Sequence, residues 1–360
     1  MDIFLGAAHV ACALGKGVAP VLQSMMKGES GLVPVVLPGG GSAFAGRAFT
    51  GSAERSLENE LVKCAELCVA NANIDVARTG VILSTTKGEI GMLEKGRPEE
   101  ALLPLLAKRF AERTGLALPI VVSNACASGT LAIKLAADLI SAGRYDHVLV
   151  LGGDLVSEFT LSGFAALHAL SPGPCRPFDR TRDGVSLGEA VAGLVLTNDR
   201  SVLNDVMGRY LGGGMGNDAN HISGPSRTGE GLVRAVEAAL RQSGIDRSAI
   251  GHINAHGTGS DYNDRMEAVA FGRVGIEGVP TNSHKGYFGH TLGAAGVLET
   301  ALALEAVRRK ELPASLGAHD LNELPPLNVL QRSGAPASNI LLKTSSGFGG
   351  CNAAILIEAC

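Results

Sequence analysis

An apolar run at 118–122 gives way to small residues, Ser-Asn-Ala-Cys-Ala-Ser-Gly at 123–129, and then to a helical repeat. Leu131, Leu135 and Leu139, with Ala132, Ala136 and Ile140 beside them, recur at the spacing of one helix face. The pattern predicts a short buried strand, a tight turn and a helix, with Cys126 where the helix begins. Unpartnered backbone N–H groups and the positive end of the helix dipole meet there, and both favour a thiolate over a thiol. A cysteine among small residues is equally a packing residue, because free cysteine is one of the most buried types. Only a base near it would separate the two roles.

The same alternation runs through the chain twice. Gly-Val-Ile-Leu-Ser-Thr-Thr-Lys-Gly at 80–88 and Gly-His-Ile-Asn-Ala-His-Gly-Thr-Gly at 251–259 are both apolar strands running into polar, glycine-containing turns. A helical stretch precedes each, at 56–72 and at 229–242. Gly-Glu-Ala-Val-Ala-Gly-Leu-Val-Leu-Thr at 188–197 is echoed by Gly-Cys-Asn-Ala-Ala-Ile-Leu-Ile-Glu-Ala at 350–359. The helix after Cys126 has its counterpart at 289–309, where Gly-His-Thr-Leu-Gly-Ala-Ala-Gly leads into Val-Leu-Glu-Thr-Ala-Leu. All these offsets are roughly 160–170 residues, about half the chain, which is the mark of an internal duplication. The expected architecture is α/β: two copies of one unit, with mixed sheets covered by helices. The halves are 1–199, carrying Cys126, and 200–360, carrying His256, Lys285 and His290.

Composition narrows the function classes. Hydrophobic residues make up 46% and charged residues 18% of 360, enough for a large core and unlike a disordered chain. The 48 glycines are scattered, as in loops that line a site. A net charge of −4 argues against a nucleic-acid binder. The seven cysteines form no Cys-x-x-Cys pair and no metal-ligand spacing with histidine, so no disulfide framework and no metal are expected. The N-terminal Met-Asp-Ile-Phe-Leu-Gly-Ala-Ala-His lacks a basic leader and reads as a first strand. No apolar run approaches a membrane span. The expectation is a reduced, cytoplasmic protein.

Two histidines stand as partners for Cys126. His256 lies just past a strand in Asn-Ala-His-Gly-Thr-Gly, and His290 heads a helix of very small residues in Lys-Gly-Tyr-Phe-Gly-His-Thr-Leu-Gly-Ala-Ala-Gly. One Cys-His pair with an orienting group is enough for a hydrolase; two histidines exceed that need.

Five segments now stand together: Asn-Ala-Cys-Ala-Ser-Gly around Cys126; Arg-Pro-Phe-Asp-Arg-Thr-Arg-Asp-Gly at 176–184 with Leu-Gly-Glu at 187–189; Asn-Ala-His-Gly-Thr at 254–258; Lys285 with Gly-His-Thr-Leu-Gly-Ala-Ala-Gly at 289–296; and Gly-Phe-Gly-Gly at 347–350 with Asn352. In this order, from about residue 50 to the C-terminus, they resemble the elongating β-ketoacyl-[acyl-carrier-protein] synthases, Cys-His-His condensing enzymes of the thiolase-fold superfamily.

The resemblance implies a thiolase-like fold in layers α-β-α-β-α. It implies a decarboxylative Claisen condensation of an acyl thioester with malonyl-carrier, in fatty acid or polyketide and polyene biosynthesis. Cys126 would carry the acyl chain, with the N–H groups of Cys126 and Phe348 as oxyanion hole. His256 and His290 would stabilise the enolate, supported by Lys285 and Glu267 as a charged pair. Phe348 would gate the site and, with Gly349, contact substrate; His221 would face the carrier's arm. No cofactor is implied beyond the phosphopantetheine of the acyl-carrier protein. Partners would be that carrier and a second subunit, identical or related, with no nucleic acid or membrane. A chain-length-factor subunit and a cysteine-dependent thioester hydrolase are the alternatives.

The family's segment between 88 and 119 is shortened here. What remains is an amphipathic stretch at 99–114, kinked or restarted at Pro104, whose Leu102, Leu103, Leu105, Leu106 and Phe110 face the body or a partner subunit. Candidates for a basic carrier-docking patch are Arg55, Lys63, Lys108, Arg109, Arg113 and Arg182.

Overall fold

The computed structural model describes residues 1–49 and 55–360. The first half contributes strands β1 (Ile3–Cys12), β2 (Thr79–Ser84), β3 (Ile120–Val122), β4 (His147–Asp154) and β5 (Ala190–Thr197). The second contributes β6 (Val206–Asn217), β7 (Ile250–Asn254), β8 (Thr281–Asn282), β9 (Ile340–Gly347) and β10 (Cys351–Ala359). The spatial order β3-β2-β4-β5-β1 on one side is repeated as β8-β7-β9-β10-β6 on the other. Pairing senses repeat too: from each outer edge, two parallel pairs are followed by two antiparallel ones. β1 and β6 pair antiparallel, Ile3 opposite Tyr210 and Leu5 opposite Gly208, which joins the halves into one sheet.

Helices separate the two half-sheets into layers. After α1 (Val18–Met26) come α2 (Leu57–Ala70) and α3 (Leu103–Thr114), packed on each other on the outer face of the first half-sheet. α4 (Ser128–Ser141) follows, then α5 (Glu158–Ala166). α6 (Glu230–Ser243) and α7 (Asp261–Val274) cover the second half-sheet. The short α8 (Lys285–Phe288) precedes α9 (Ala295–Arg309). α4 and α9 pack together between the half-sheets, so the layers read α-β-α-β-α as expected. α9 is buried at every position from Ala295 to Val307 except Glu305, as a helix enclosed on all sides must be.

Three expectations are corrected. In α4 the face fully buried is Gly129, Thr130, Ala132, Ile133, Ala136, Ala137 and Ile140, while Leu131, Leu135 and Leu139 are half-buried. The middle layer brings α4 and α9 so close that only small residues fit between them. The run at 118–122 is not a buried strand: β3 lies at the edge of the sheet, with Leu118 64% and Ile120 39% exposed. Of the two readings for Pro104, the restart holds: it sits in the first turn of α3, after a short turn at Pro98–Ala101, where its missing N–H costs nothing. Leu106 and Phe110 are buried in the cluster beneath α2, whereas Leu102 is exposed and Leu103 and Leu105 are half-buried. The narrow buried face of α3 therefore serves the body of the subunit.

Candidate active site

Cys126 lies in the turn from β3 into α4. Ala125 before it holds φ at 45°, a left-handed conformation that costs an L-residue about 1 kcal/mol. Ser128 fixes the turn: its hydroxyl accepts from the Asn124 N–H at 2.7 Å and donates to the Ala125 carbonyl at 2.6 Å. Gly347, at the end of β9, backs onto this turn so closely that a Cβ there would lie 3.0 Å from the Cys126 nitrogen. The next residue, Phe348, directs its backbone N–H at the Cys126 sulfur. Its ring stacks on Phe164 of α5, centroids 5.6 Å apart.

His256 lies in the loop between β7 and α7, and its backbone is held from both sides. Glu267 accepts the N–H of His256 at 2.8 Å and that of Gly257 at 2.6 Å. The Lys285 ammonium donates to the His256 carbonyl at 2.5 Å. His290 follows α8; its N–H donates to the Ser186 carbonyl at 2.7 Å and its own carbonyl accepts from Gly188 at 2.9 Å. The imidazole rings meet edge to face, with centroids 5.0 Å apart and planes at 83°. The Cys126 sulfur and one ring nitrogen of each histidine all fall within 4.8 Å of one another. Residues from both halves of the duplication thus meet at one point.

That point lies on a cavity of about 560 Å³, which Phe348, Phe164 and His221 also line. Gly349 is placed differently: it spends its N–H on the Ile222 carbonyl at 2.6 Å and does not line the cavity. Of the six candidate docking cations every one has an acidic partner. Arg55 pairs with Glu189, Lys63 with Glu60, Lys108 with Glu112, Arg109 with Glu100, Arg113 with Glu58 and Arg182 with Asp261. The Arg182 side chain is only 4% exposed.

Burial sets the protonation states. It pushes the Cys126 thiol up to about 11, although Lys87 and Lys285 pull it down. Burial thus opposes the thiolate that the helix terminus would favour, and it stabilises the thiol form of Cys126. Burial, then the nearby Lys285 charge, drives both imidazoles well below their ordinary value, so both are neutral. In His290, Nδ1 accepts from the Leu292 N–H at 3.3 Å, which puts the ring proton on Nε2, a buried atom without a partner among the described residues. The His290 Nε2–H is a donor awaiting an acceptor. The same tautomer works against a metal ion on this trio, since a metal at Nε2 would need the proton on Nδ1, facing the Leu292 N–H.

Lys285 and Glu267 do not pair with each other. Lys285 binds Oε1 of Glu299 at 2.8 Å, and Lys343 binds Oε2 at 2.6 Å, with all three side chains fully buried. Burial alone would raise the Glu299 carboxyl; the two ammoniums overcome it and hold it at about 2. Glu267 is raised to about 7, first by burial and then by Asp264. Glu299 and Lys343 escaped the sequence reading, though each left a signal. One is a carboxylate inside the apolar stretch of α9, the other a lysine following Ile-Leu-Leu in a central strand, and such residues are almost never fully buried unless paired. Asp154, at the end of β4, was missed as well. It accepts from Thr85, Thr86 and the Gly293 N–H, which ties the end of β2 to the turn after His290.

The sequence matches the family description "Beta-ketoacyl synthase, N-terminal domain" over residues 69–201 and "Beta-ketoacyl synthase, C-terminal domain" over 207–319. Among curated relatives, a putative mitochondrial 3-oxoacyl-[acyl-carrier-protein] synthase of Schizosaccharomyces pombe is 32% identical over 71% of this chain and 65% of its own length. A 3-oxoacyl-[acyl-carrier-protein] synthase 2 of Rhizobium meliloti is 34% identical over 66% of this chain and 60% of its own. The chain thus spans less than two thirds of the length of these relatives. Among solved structures, a chain of the ketosynthase–chain length factor complex of Xenorhabdus doucetiae superposes with a TM-score of 0.89 at 28% identity, covering 100% of this chain and 98% of that one. A β-ketoacyl synthase from Burkholderia phymatum gives 0.89 at 25% identity, with 100% and 99% covered. With its thiolase-like layers and its Cys-His-His site, the chain belongs to the β-ketoacyl synthase family.

Proposed function

We propose that the chain catalyses decarboxylative Claisen condensation of an acyl thioester with malonyl-acyl-carrier protein. The observation that carries this is the meeting of one thiol and two neutral imidazoles within 4.8 Å, on a cavity of about 560 Å³. In the first half-reaction the Cys126 sulfur attacks the acyl thioester carbonyl. Because the thiol rests protonated, its proton must pass to the departing carrier sulfur, and an imidazole is within reach to relay it. The N–H groups of Cys126 and Phe348 would hold the tetrahedral oxyanion, and such a donor is worth about 3 kcal/mol.

In the second half-reaction malonyl-carrier enters and loses carbon dioxide. The electron pair of the broken C–C bond becomes an enolate on the thioester oxygen. The His290 Nε2–H and the His256 ring would donate to that oxygen, and neutral donors serve it without protonating carbon. The enolate carbon then attacks the acyl carbonyl on Cys126, and the sulfur leaves and regains a proton. Lys285 and Glu267 act through the backbone of His256 rather than by touching substrate. Phe348 and Phe164 would gate the cavity; the position of Gly349 supports a role in shaping the turn more than in touching substrate.

The acyl-carrier protein is the expected partner, its phosphopantetheine the only prosthetic group required. Arg227 lines the cavity and stands exposed, in place for the arm's phosphate. The open edge at β3 supports a dimer with a ketosynthase-like subunit, either a second copy or a relative, paired strand to strand. The duplication supports halves at 1–199 and 200–360. Incubation with acyl-carrier and malonyl-carrier, followed by mass spectrometry, tests the reading. An acyl adduct on Cys126 and a product lengthened by two carbons support it; free acid without extension would favour a hydrolase.

A further inference from the structure

Behind the site lies an ionic chain that the reaction itself does not touch. Lys343, on β9, donates to Oε2 of Glu299 at 2.6 Å and to the Thr344 carbonyl at 2.8 Å. Oε1 of Glu299, on α9, accepts from Lys285 at 2.8 Å, and Lys285 donates onward to the His256 carbonyl. The neighbouring Thr344 hydroxyl donates to Glu267, which holds the His256 N–H. Both backbone groups of His256 therefore trace back to one dipeptide, Lys343-Thr344.

We propose that Lys343 is a positioning residue for the condensation: by occupying one oxygen of Glu299 it confines Lys285 to the other, and so fixes Lys285 on the carbonyl of His256. This rests on the proposed function. Without Lys343, the carboxylate faces a single ammonium and would draw it into a two-oxygen grip, away from the His256 carbonyl. The imidazole then loses half of the restraint that aims it at the enolate oxygen. A misplacement of that kind, about 1 Å, is enough to cost about 100-fold in rate.

The groups facing Lys343 all bear on its charge. Glu299 comes from α9, Lys285 and His284 from α8 and its cap, Glu267 from α7, His252 from β7, and His256 and His290 from the two site loops. Glu299 favours the ammonium, whereas burial and the Lys285 charge oppose it. Burial wins in part, and Lys343 titrates at about 8, down from 10.5. Above that pH the lysine is neutral and its hold on Glu299 weakens, so decarboxylation should fall on the basic side.

The test compares Lys343→Met and Lys343→Arg with the wild type. Acyl loading of Cys126 is read by intact mass and carbon dioxide release from malonyl-carrier between pH 6.5 and 9.5, beside thermal melting. The expected result is a wild-type basic limb near pH 8, and a Lys343→Met enzyme that loses decarboxylation about 30-fold more than loading. Lys343→Arg, charged throughout, should recover much of the loss and shift the limb above pH 9.5. A Lys343→Met enzyme with the wild-type ratio of the two half-reactions and the wild-type pH profile overturns the inference, even if it melts earlier. If Lys343→Met does not fold, a limb left unmoved in Lys343→Arg overturns it. A wild type that performs neither half-reaction overturns the functional reading, and this inference with it.

Discussion

Gly129 and Gly296 touch backbone to backbone where α4 and α9 cross. A Cβ on Gly296 would lie 2.1 Å from the Thr130 nitrogen, and one on Gly129 would lie 2.8 Å from the Gly296 nitrogen. α4 begins just after Cys126 and α9 just after His290, so this contact sets the distance between nucleophile and imidazole. Gly296→Ala must push the helices apart. Overpacking of a filled interior costs about 1–3 kcal/mol, and the parted termini should also slow condensation. Thermal melting and product formation check this; a variant equal to wild type in both would show that the crossing is not tight.

Cys126 should react as a buried thiol. Its value near 11 lies above the ordinary one, so each unit of pH between 7 and 9 should raise the alkylation rate about tenfold. Alkylation by iodoacetamide, followed by peptide mass, measures it. A rate that levels off near pH 7 would mean that the helix terminus, not burial, governs the sulfur.

The imidazoles are depressed by burial and by Lys285, which means they stay neutral from pH 6 upward and bind no proton there. Carbon dioxide release should therefore show no acid limb with its midpoint near the ordinary histidine value. His290→Ala, which removes the Nε2–H donor, should lower release by about 100-fold. Loading depends on that donor less and should fall less. The two half-reactions measured side by side decide; release untouched in His290→Ala contradicts the assignment.

Helix α3 should betray its role through stability. Leu106→Ala and Phe110→Ala empty sites that are 1% and 0% exposed, which costs about 2–5 kcal/mol each. Leu102→Ala, at 58% exposure, should change stability by less than about 0.5 kcal/mol. Denaturant unfolding of the three variants separates a helix that serves the body from one that serves a partner.

How much of this was legible in the sequence follows from the range of each interaction. Strand, turn and helix around Cys126 are local, and periodicity reveals them; the duplicated order follows for the same reason. His256 and His290 were legible because each stands beside a glycine at the head of a repeated element. Pairing of Lys285 with Glu299 rather than Glu267 was not, since both carboxylates sit at helical spacings and only the tertiary fold chooses between them. Lys343 is 44 residues from Glu299, beyond any local rule. The buried face of α4 was misread because bulk marks a helix face only when there is room for it, and a middle layer leaves none. The burial acting on Cys126 was not legible, because a dipole is local, whereas desolvation belongs to the whole fold. An edge strand such as β3 has the composition of a central one, so its exposure shows only in three dimensions.

The central claim is that Cys126 holds the growing chain between two half-reactions. A pulse-chase on the intact protein tests it most directly: load with acyl-carrier, remove the excess, add malonyl-carrier, and follow the protein's mass. The wild type should gain one acyl group, then lose it as an acyl chain two carbons longer appears on the carrier with one carbon dioxide released, while Cys126→Ala gains nothing. An acyl group that forms on Cys126→Ala, or one that leaves the wild type as free acid when malonyl-carrier is added, would contradict the account.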